Sequence, residues 1–141
     1  MAIKVFLDTN IVLDILDDKR SFHPQAVKLY RLIEDYELNA FISESMLTTS
    51  DYILQKIATK PIRLSMLSQL LDFVEVLPCI TKTCLKAFQR NVADLEDAIL
   101  YQVALEANVD YFITNDSSVL KKLSSSSLPV VSTKEFLTIN K

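Results

Sequence analysis

The chain has no glycine and no tryptophan among its 141 residues, and it has only two cysteines. Loops that cradle nucleotide phosphates use glycine, because its backbone adopts conformations that a side chain forbids. The absence of glycine therefore excludes Walker-type and Rossmann-type nucleotide sites as motifs. Cys79 and Cys84 have neither a CxxC spacing nor neighbouring histidines, so the sequence predicts neither a disulfide framework nor a zinc site. We expect both thiols to be buried.

An excess of positive charge is also missing, since the net charge is -3 at pH 7. This balance argues against a protein that holds nucleic acid by a broad basic surface. An acidic pocket can still reach a phosphodiester through bound cations, which reverse the local potential. No apolar run approaches the roughly 18 residues that cross a bilayer, and the start MAIKVFLDTN does not resemble a signal peptide. We therefore expect a cytoplasmic protein without membrane contacts.

The length and the hydrophobic content of 50% predict one compact domain over residues 1–141. Short apolar runs that end in polar residues predict strands at 3–7, 40–42, 73–77, 111–114 and 129–131. Helical spacing of apolar residues predicts helices at 11–16, 24–36, 44–57, 61–73, 81–92 and 94–107, and Thr133 is expected to cap a last one. The four-serine run at 124–127 is expected to be a surface loop.

Acidic residues stand where reactive groups gather in a parallel α/β sheet, beyond the carboxyl ends of the strands. Asp8 follows the first predicted strand, and Asp116 follows the fourth. Asp94 and Asp97 open a helix three residues apart, which places them on one face of its first turn. Four carboxylates brought together repel one another unless a positive charge lies between them. The pattern therefore predicts a site for Mg²⁺ or Mn²⁺, which prefer oxygen ligands.

Each of these acids also has a purely structural interpretation. Asp8 and Asp94 could cap the helices that follow them, and Asp116 could cap a turn. Asp97 could favour the positive end of its helix. Asp97 is the most informative of the four, because it places a carboxylate beside the buried stripe of an otherwise apolar helix.

Three segments of the chain resemble the PIN-domain family, in the branch that includes the toxin ribonucleases of bacterial toxin-antitoxin pairs. They are VFLDTNIVLDIL, DLEDAILYQVALEANVDYFITND and PVVSTKEFL. The resemblance covers nearly the whole chain, and its first two segments are distinctive in order and spacing. It implies a three-layer α/β/α sandwich around a parallel sheet of about four to five strands. It also implies RNA cleavage by a water activated by Mg²⁺ or Mn²⁺, and a cognate antitoxin protein as partner.

The resemblance assigns a role to each acid. Asp8 and Asp97 match the family's principal metal ligands, while Asp94 and Asp116 match its supporting acids. The residues that match polar positions near the acids or the substrate are Thr9, Asn10 and Thr114. The resemblance therefore implies that every acid of the family's site is present except one.

That position lies in the helix after the second strand, where the family usually has an acid and this chain has Thr49. A threonine cannot replace a carboxylate as a charged ligand. Glu44 and Asp51 are nearby substitutes, and their spacing of seven puts them on one helical face, although neither has the expected register. A solvated helix face is the alternative interpretation for these two acids.

Three hypotheses follow from these residues. The first is a metal-dependent endoribonuclease that acts as a toxin. The second is a PIN-fold binding or assembly module that has lost turnover through Thr49. The third, a phosphatase with Asp8 as nucleophile, is disfavoured because DTN lacks a second aspartate two residues on. The apolar helix at residues 61–73 could leave a patch that a second copy of the chain covers, so a homodimer is also expected.

Overall fold

The computed structural model describes residues 2–92, 94–123, 125 and 127–140. Within these residues the strands are β1 (Ile3–Leu7), β2 (Leu38–Ser43), β3 (Val74–Leu77), β4 (Tyr111–Ile113) and β5 (Val130–Val131). The helices are α1 (Thr9–Leu16), α2 (His23–Glu34), α3 (Glu44–Leu54), α4 (Lys60–Leu70), α5 (Thr81–Phe88), α6 (Leu95–Glu106), α7 (Ser117–Lys122) and α8 (Thr133–Ile139). The described part of the chain contains no helix long and apolar enough to cross a membrane.

The strands form one parallel sheet in the order β3-β2-β1-β4-β5. Right-handed crossovers carry the chain from β1 outward to β3 and then back past β1 to β4. Because the direction of travel reverses, the helices between β1 and β3 and those between β3 and β5 are expected on opposite faces of the sheet. Helices α1, α2, α3 and α8 contact one another on one side, and α5 packs on α6. The expected three-layer α/β/α sandwich is confirmed.

The central strand β1 is buried on both faces, as expected for a strand with neighbours and helices on each side. Val5, Phe6 and Leu7 have no exposed surface. The ring of Phe6 stacks on that of Phe112 in β4 with the ring centroids 5.2 Å apart. Each fully buried side chain of this size stabilises the fold by about 1.5–3 kcal/mol. The carboxyl end of β1 is therefore anchored in the hydrophobic core.

Two backbone positions among the described residues are left-handed, although the chain has no glycine to place there. Tyr36 has φ of 59° after α2, and Asn108 has φ of 54° after α6. Residues just past a helix end often adopt this conformation, and asparagine tolerates it better than most side chains do. At Tyr36 a bulky side chain takes the role of a glycine. The ring of Tyr36 lies 6.1 Å from that of Phe73, a contact that helps to offset the backbone strain.

Three helices end earlier than the periodicity predicts, at Leu54, Leu70 and Phe88. Tight turns after them close with hydrogen bonds between residues three apart: Ile57 N to Leu54 O, Phe73 N to Leu70 O, and Arg90 N to Ala87 O. Beyond these helix ends, Phe73 and Val92 still pack against the core, whereas Ile57 is exposed. The last helix is capped by Ser132, whose hydroxyl accepts from the Glu135 backbone, and not by Thr133 as expected.

The expectation of buried thiols is wrong for Cys79, which is exposed, while Cys84 is half-buried. Both cysteines are free, and their Sγ atoms lie 3.8 Å apart. Of the four-serine run, Ser124 and Ser126 lie outside the described residues. Ser125 is exposed, and its hydroxyl lies 2.9 Å from the Tyr101 hydroxyl, so the described part of this run is on the surface but tied to the core.

Candidate functional site

Strands β1 and β4 are the neighbours between which the direction of the chain reverses in the sheet. Crevices outside the carboxyl ends of such strands are where α/β folds bind ligands. Asp8 directly follows β1, and Thr114 and Asp116 follow β4. Asp97 lies in the first turn of α6, the helix that leads into β4. The topology therefore brings residues from distant parts of the chain to one edge of the sheet.

Asp8 is the most tightly held of the four predicted acids and is only 5% exposed. Its Oδ1 accepts a hydrogen bond of 2.8 Å from the Thr9 backbone. Its Oδ2 accepts bonds of 2.7 Å from the Thr114 hydroxyl and 3.1 Å from the Asn10 amide. Three donors on one carboxylate restrict its rotation and favour its charged form. The remaining lone pairs of Asp8 are thereby given a fixed direction.

The residues that donate hydrogen bonds to Asp8 are also hydrogen-bonded to one another and to the turn after β4. The Thr114 hydroxyl accepts from the Asn10 amide at 3.0 Å and from the Asp116 backbone at 3.1 Å. The side-chain Oδ1 of Asn10 accepts a hydrogen bond from the Asn115 backbone N–H at 3.0 Å. These bonds join the start of α1 to the turn after β4, so the resemblance-based expectation that Thr114 and Asn10 neighbour the acids agrees with the geometry.

Replacing Thr114 with valine removes the hydroxyl while keeping the shape of a side chain that is fully buried. We expect a loss of about 1–3 kcal/mol in the free energy of unfolding, because Asp8 and the Asp116 backbone lose a buried partner. We also expect affinity for Mg²⁺ to fall by about 10- to 100-fold, as when a partner that orients a metal ligand is removed. Urea unfolding and Mg²⁺ titration calorimetry measure the two effects.

The matched control is Thr83→Val, which removes another buried threonine hydroxyl, bonded to Glu106 at 2.7 Å between α5 and α6. We expect this variant to lose comparable stability with no change in Mg²⁺ affinity. Equal Mg²⁺ affinities for Thr114→Val and Thr83→Val would show that the Thr114 hydroxyl does not orient Asp8 for a cation.

Three of the four acids cap helices, as predicted for Asp8 and Asp94, while Asp116, expected to cap a turn, caps α7. Asp8 caps α1. The Asp94 Oδ1 accepts from the Asp97 backbone at 3.0 Å, and the Asp116 Oδ1 accepts from the Ser118 backbone at 2.9 Å and its hydroxyl at 2.7 Å. For Asp94 and Asp116 these hydrogen bonds use one oxygen and leave the other, whereas both oxygens of Asp8 accept hydrogen bonds. Asp97 has no capping role of this kind among the described residues.

The pKa of Asp97 is affected by its burial and by the other acids. Burial raises the pKa of Asp97 from its ordinary value of 3.8 to about 7, with further contributions from the charges of Asp94, Asp8, Asp116 and Glu96. Burial likewise raises the pKa of Asp8, opposed by the hydrogen bond from Thr114. The hydrogen bond from Ser118 lowers the pKa of Asp116. The predicted acids thus form a concentration of negative charge at one place.

Glu96 belongs to this group, although the sequence did not single it out. Burial raises its pKa, followed by the charges of Asp94 and Asp8. Its position in the first turn of α6 is typical of an exposed residue. The one sequence signal for a role in the site is that Glu96 is adjacent to Asp97. Glu96 also lines a cleft of about 580 Å³ together with Glu44. Glu44, an uncertain substitute for the missing family acid, therefore faces the same space as Glu96.

Asp51, the other candidate substitute, is engaged elsewhere. Its Oδ1 accepts from the Arg63 Nε at 2.8 Å, which joins α3 to α4. Asp51 does not contribute to the pKa shifts of Asp8 or Asp97. Thr49, at the expected register, is half-buried. Glu44 does not contribute to these shifts either, but it shares a cleft with Glu96, whereas Asp51 is paired with Arg63.

The donors present fit a hard divalent cation. All of them are oxygen atoms, and the hydroxyl of Thr9 beside Asp8 is buried without a hydrogen-bond partner among the described residues. In the described ranges, no group of three or more acidic, histidine or cysteine side chains is placed so that it could hold a metal ion. An open arrangement with one or two direct carboxylates suits Mg²⁺, which keeps several of its waters when bound.

Comparison with known proteins agrees with this architecture. The family described as PIN domain matches residues 4–118. The chain is 30% identical over 138 residues to a protein named Ribonuclease VapC1 from Aquifex aeolicus strain VF5, covering 94% of this chain and 92% of the relative. That agreement extends well beyond the segments that surround the acids.

Solved structures with low sequence identity share the fold. VapBC2 from Rickettsia felis, bound to a DNA fragment from its promoter, has a TM-score of 0.69 at 17% identity, covering 92% of this chain and 98% of that one. VapC20 from Mycobacterium tuberculosis, described as a sarcin-ricin loop cleaving toxin, has a TM-score of 0.65 at 14% identity, covering 82% and 92%. PAE2754 from Pyrobaculum aerophilum has a TM-score of 0.64 at 16% identity, and the match covers 99% of this chain and 96% of that one.

Proposed function

This chain belongs to the PIN domain family, and from that premise we propose that it is a metal-dependent endoribonuclease that cleaves RNA phosphodiester bonds. The observation that supports the proposal most is the convergence of acidic side chains beyond β1 and β4. We call Asp8, Asp94, Asp97 and Asp116 the acidic site. A relative of nearly equal length is named a ribonuclease, which supports the same assignment.

In this proposal Asp8 and Asp97 are the direct ligands of Mg²⁺ or Mn²⁺, and Asp94 and Asp116 complete the site. A divalent cation bound there supplies an activated water and stabilises the charge that develops on the phosphate oxygens. Asp8 is held in one orientation by its three hydrogen bonds. The raised pKa of Asp97 means that this carboxylate gives up its proton most readily when a positive charge is near.

The surrounding polar residues keep these acids in place. Asn10 and Thr114 orient Asp8 through their hydrogen bonds, and Thr9 contributes its backbone amide to the same carboxylate. The Thr9 hydroxyl beside Asp8 is buried and has no hydrogen-bond partner among the described residues, so in this proposal Thr9 acts through its backbone amide. Glu44 and Glu96 add negative charge along the adjoining cleft and are proposed as outer supports of the cation.

We further propose that the chain is the toxin of a toxin-antitoxin pair, and that a cognate antitoxin protein is its partner. The name of the Aquifex relative and the VapBC2 complex from Rickettsia support this role. A homodimer is also proposed, because α4 exposes Ile62 and Leu64 on the helix that the sequence predicted would form an apolar patch. Residues 1–141 are proposed to act as one domain.

Removal of metal tests the proposed chemistry. We expect the purified chain to cleave a mixed single-stranded RNA in the presence of Mg²⁺ or Mn²⁺, and to lose this cleavage when EDTA is added. Cleavage should return when the cation is restored in excess, because chelation does not alter the carboxylates. Denaturing gel electrophoresis of end-labelled RNA follows the reaction. Cleavage that persists in EDTA would contradict a metal-dependent mechanism.

Thr49 supports one alternative function, a PIN-fold binding or assembly module without turnover. A chain that is folded and binds Mn²⁺ but cleaves none of several structured and unstructured RNAs would favour that alternative. Introducing the family acid as Thr49→Glu distinguishes the two cases. Cleavage that appears only in this variant would show that the loss of one carboxylate had silenced the site.

A further inference from the structure

A second pocket adjoins the acidic site on the side of the loop between α1 and α2. It encloses about 240 Å³. Its lining residues are Asn10, Asp14, Arg20, Phe22, Asn115 and Asp116. Asp116 belongs to the acidic site, and Asn10 donates to the Asp8 carboxylate, so the pocket begins where the acidic site ends. We call it the loop pocket.

The wall of the loop pocket is built on a buried ion pair. Asp14 is 1% exposed, and its Oδ1 accepts from the Arg20 Nε at 2.7 Å. Its Oδ2 accepts from the Asn115 amide at 3.2 Å. A buried carboxylate is costly unless it is paired and hydrogen-bonded, and here it is both. The pair therefore fixes the position of Arg20 beside the turn that follows β4.

Arg20 retains most of its donors. Among the bonds between described residues it donates through Nε, and its two terminal amino groups have no protein acceptor. The side chain is 34% exposed. An arginine offers five N–H donors in a fixed plane, a geometry that matches phosphate oxygens. The four terminal N–H groups of this one are available to a ligand in the loop pocket.

Phe22 supplies an aromatic surface at the rim of the same pocket. It is 49% exposed, and no other ring of the described chain packs against it. The loop that bears it is ordered by hydrogen bonds from the His23 backbone to Arg20 and from the Ala26 backbone to Phe22. The His23 Nδ1 also lies 2.7 Å from the Asp14 carbonyl oxygen. The exposed ring is therefore held in place.

We propose that the loop pocket binds a nucleotide of single-stranded RNA next to the scissile phosphate, with its base stacked on Phe22 and its phosphate contacted by Arg20. An exposed ring and a guanidinium beside an acidic site are the groups that bind unpaired nucleotides. Asp14 and Arg20 are neutral as a pair, so the phosphate contact relies on the terminal N–H groups of Arg20, and the proposed cation offsets the charge of Asp116 in the same lining. The inference rests on the proposed ribonuclease function and specifies how its substrate is held.

The test compares the binding of a fluorescein-labelled oligoadenylate to the wild type and to Phe22→Ala, Phe22→Trp and Tyr52→Ala. Ca²⁺ replaces Mg²⁺ so that a cation bridges the acids to the phosphate while binding is measured. Tyr52 is the matched control, since it is an exposed aromatic residue on α3 away from both sites. Fluorescence anisotropy measures Kd, and circular dichroism checks that each variant is folded.

We expect Phe22→Ala to raise Kd by about tenfold, the usual effect of losing one base–aromatic stack. Phe22→Trp should bind as tightly as the wild type, and Tyr52→Ala should show no change. A series of oligoadenylates, each with one abasic position at a different place, identifies the base that stacks. At one place only, Phe22→Ala should no longer raise Kd relative to the wild type. That result would identify the stacked base, because the two losses would then not add.

Arg20 is tested by the salt dependence of binding. Arg20→Gln should lower the slope of log Kd against log salt concentration by about 0.7, the value for one phosphate contact to a single strand. A purely structural ion pair would change stability and leave this slope unaltered. The Phe22 comparison decides the proposal even if Arg20→Gln fails to fold.

Three results would overturn the loop pocket: a wild type that does not bind the oligoadenylate, a Phe22→Ala variant that binds as well as the wild type, or an equal loss in Tyr52→Ala. Cleavage of RNA by the wild type with no effect of Phe22 would leave the proposed ribonuclease function standing. Binding that depends on Phe22, without any metal-dependent cleavage, would instead support the pocket and contradict the ribonuclease.

Discussion

Replacing Asp97 with asparagine is expected to slow metal-dependent RNA cleavage by about a thousandfold. The substitution keeps the size of the side chain and removes the charge that the proposed cation requires. Because Asp97 does not cap a helix, its loss removes no hydrogen bond that the fold depends on among the described residues. Initial rates on end-labelled RNA at saturating Mn²⁺ measure the effect, and thermal unfolding checks that the variant is folded.

Asp72→Asn is the control for Asp97→Asn, since Asp72 is an exposed acid beyond α4 with no part in the acidic site. It should cleave RNA at the wild-type rate. Expression of the wild type in bacteria without an antitoxin should also arrest growth, and Asp97→Asn should not. Wild-type rates for Asp97→Asn would remove this residue from the proposed mechanism.

The stability of the metal-free protein is expected to fall as the pH rises from about 4 to 7, by about 2 kcal/mol relative to Asp97→Asn. The pKa of Asp97 is raised in the folded state from 3.8 to about 7, so the folded chain binds a proton that the unfolded chain releases. Below pH 4 both states are protonated and this contribution is complete. Above pH 7 both are ionised and it is lost, because the folded state then holds a half-buried charge beside other negative charges.

Urea unfolding of the wild type and Asp97→Asn at several pH values, in EDTA, measures the difference between the two. The other acids are common to both proteins, so their own titrations largely cancel. Addition of Mg²⁺ at 100 times its Kd should then stabilise the wild type by about 2.7 kcal/mol at pH 7.5 and leave Asp97→Asn nearly unchanged. Parallel pH curves for the two proteins would mean that Asp97 is not crowded by its neighbours.

Most of the local elements and the positions of the four acids could be predicted from the sequence because both depend on short-range patterns, although α7 was not predicted. Apolar runs followed by polar residues located β1 and β4, and a carboxylate beside a buried stripe drew attention to Asp97. The order of the strands could not be predicted in this way. It depends on which strands pair across the chain, and it places the acids at the reversal between β1 and β4.

Contacts between distant residues account for what the sequence did not reveal. Asp51 is an acid on the same helical face as Glu44, so the sequence suggests it as a candidate ligand. Its carboxylate is instead paired with Arg63, which lies on another helix. Glu96 looks like an exposed residue of a first turn, and only the folded chain brings its charge near Asp8. The pair of Asp14 and Arg20 likewise becomes meaningful only through Asn115, which is about a hundred positions further on.

The hydrogen bond from Thr114 to Asp8 joins residues 106 positions apart. A ribosome that has made β1, β2 and β3 has therefore produced most of the sheet without β4, without α6, and without three of the four acids of the proposed site. Such a nascent chain exposes one aspartate and cannot assemble the acidic site. If the chain is a toxin, its activity begins only once the last third has left the ribosome and paired with the first strand, which gives an antitoxin time to be present.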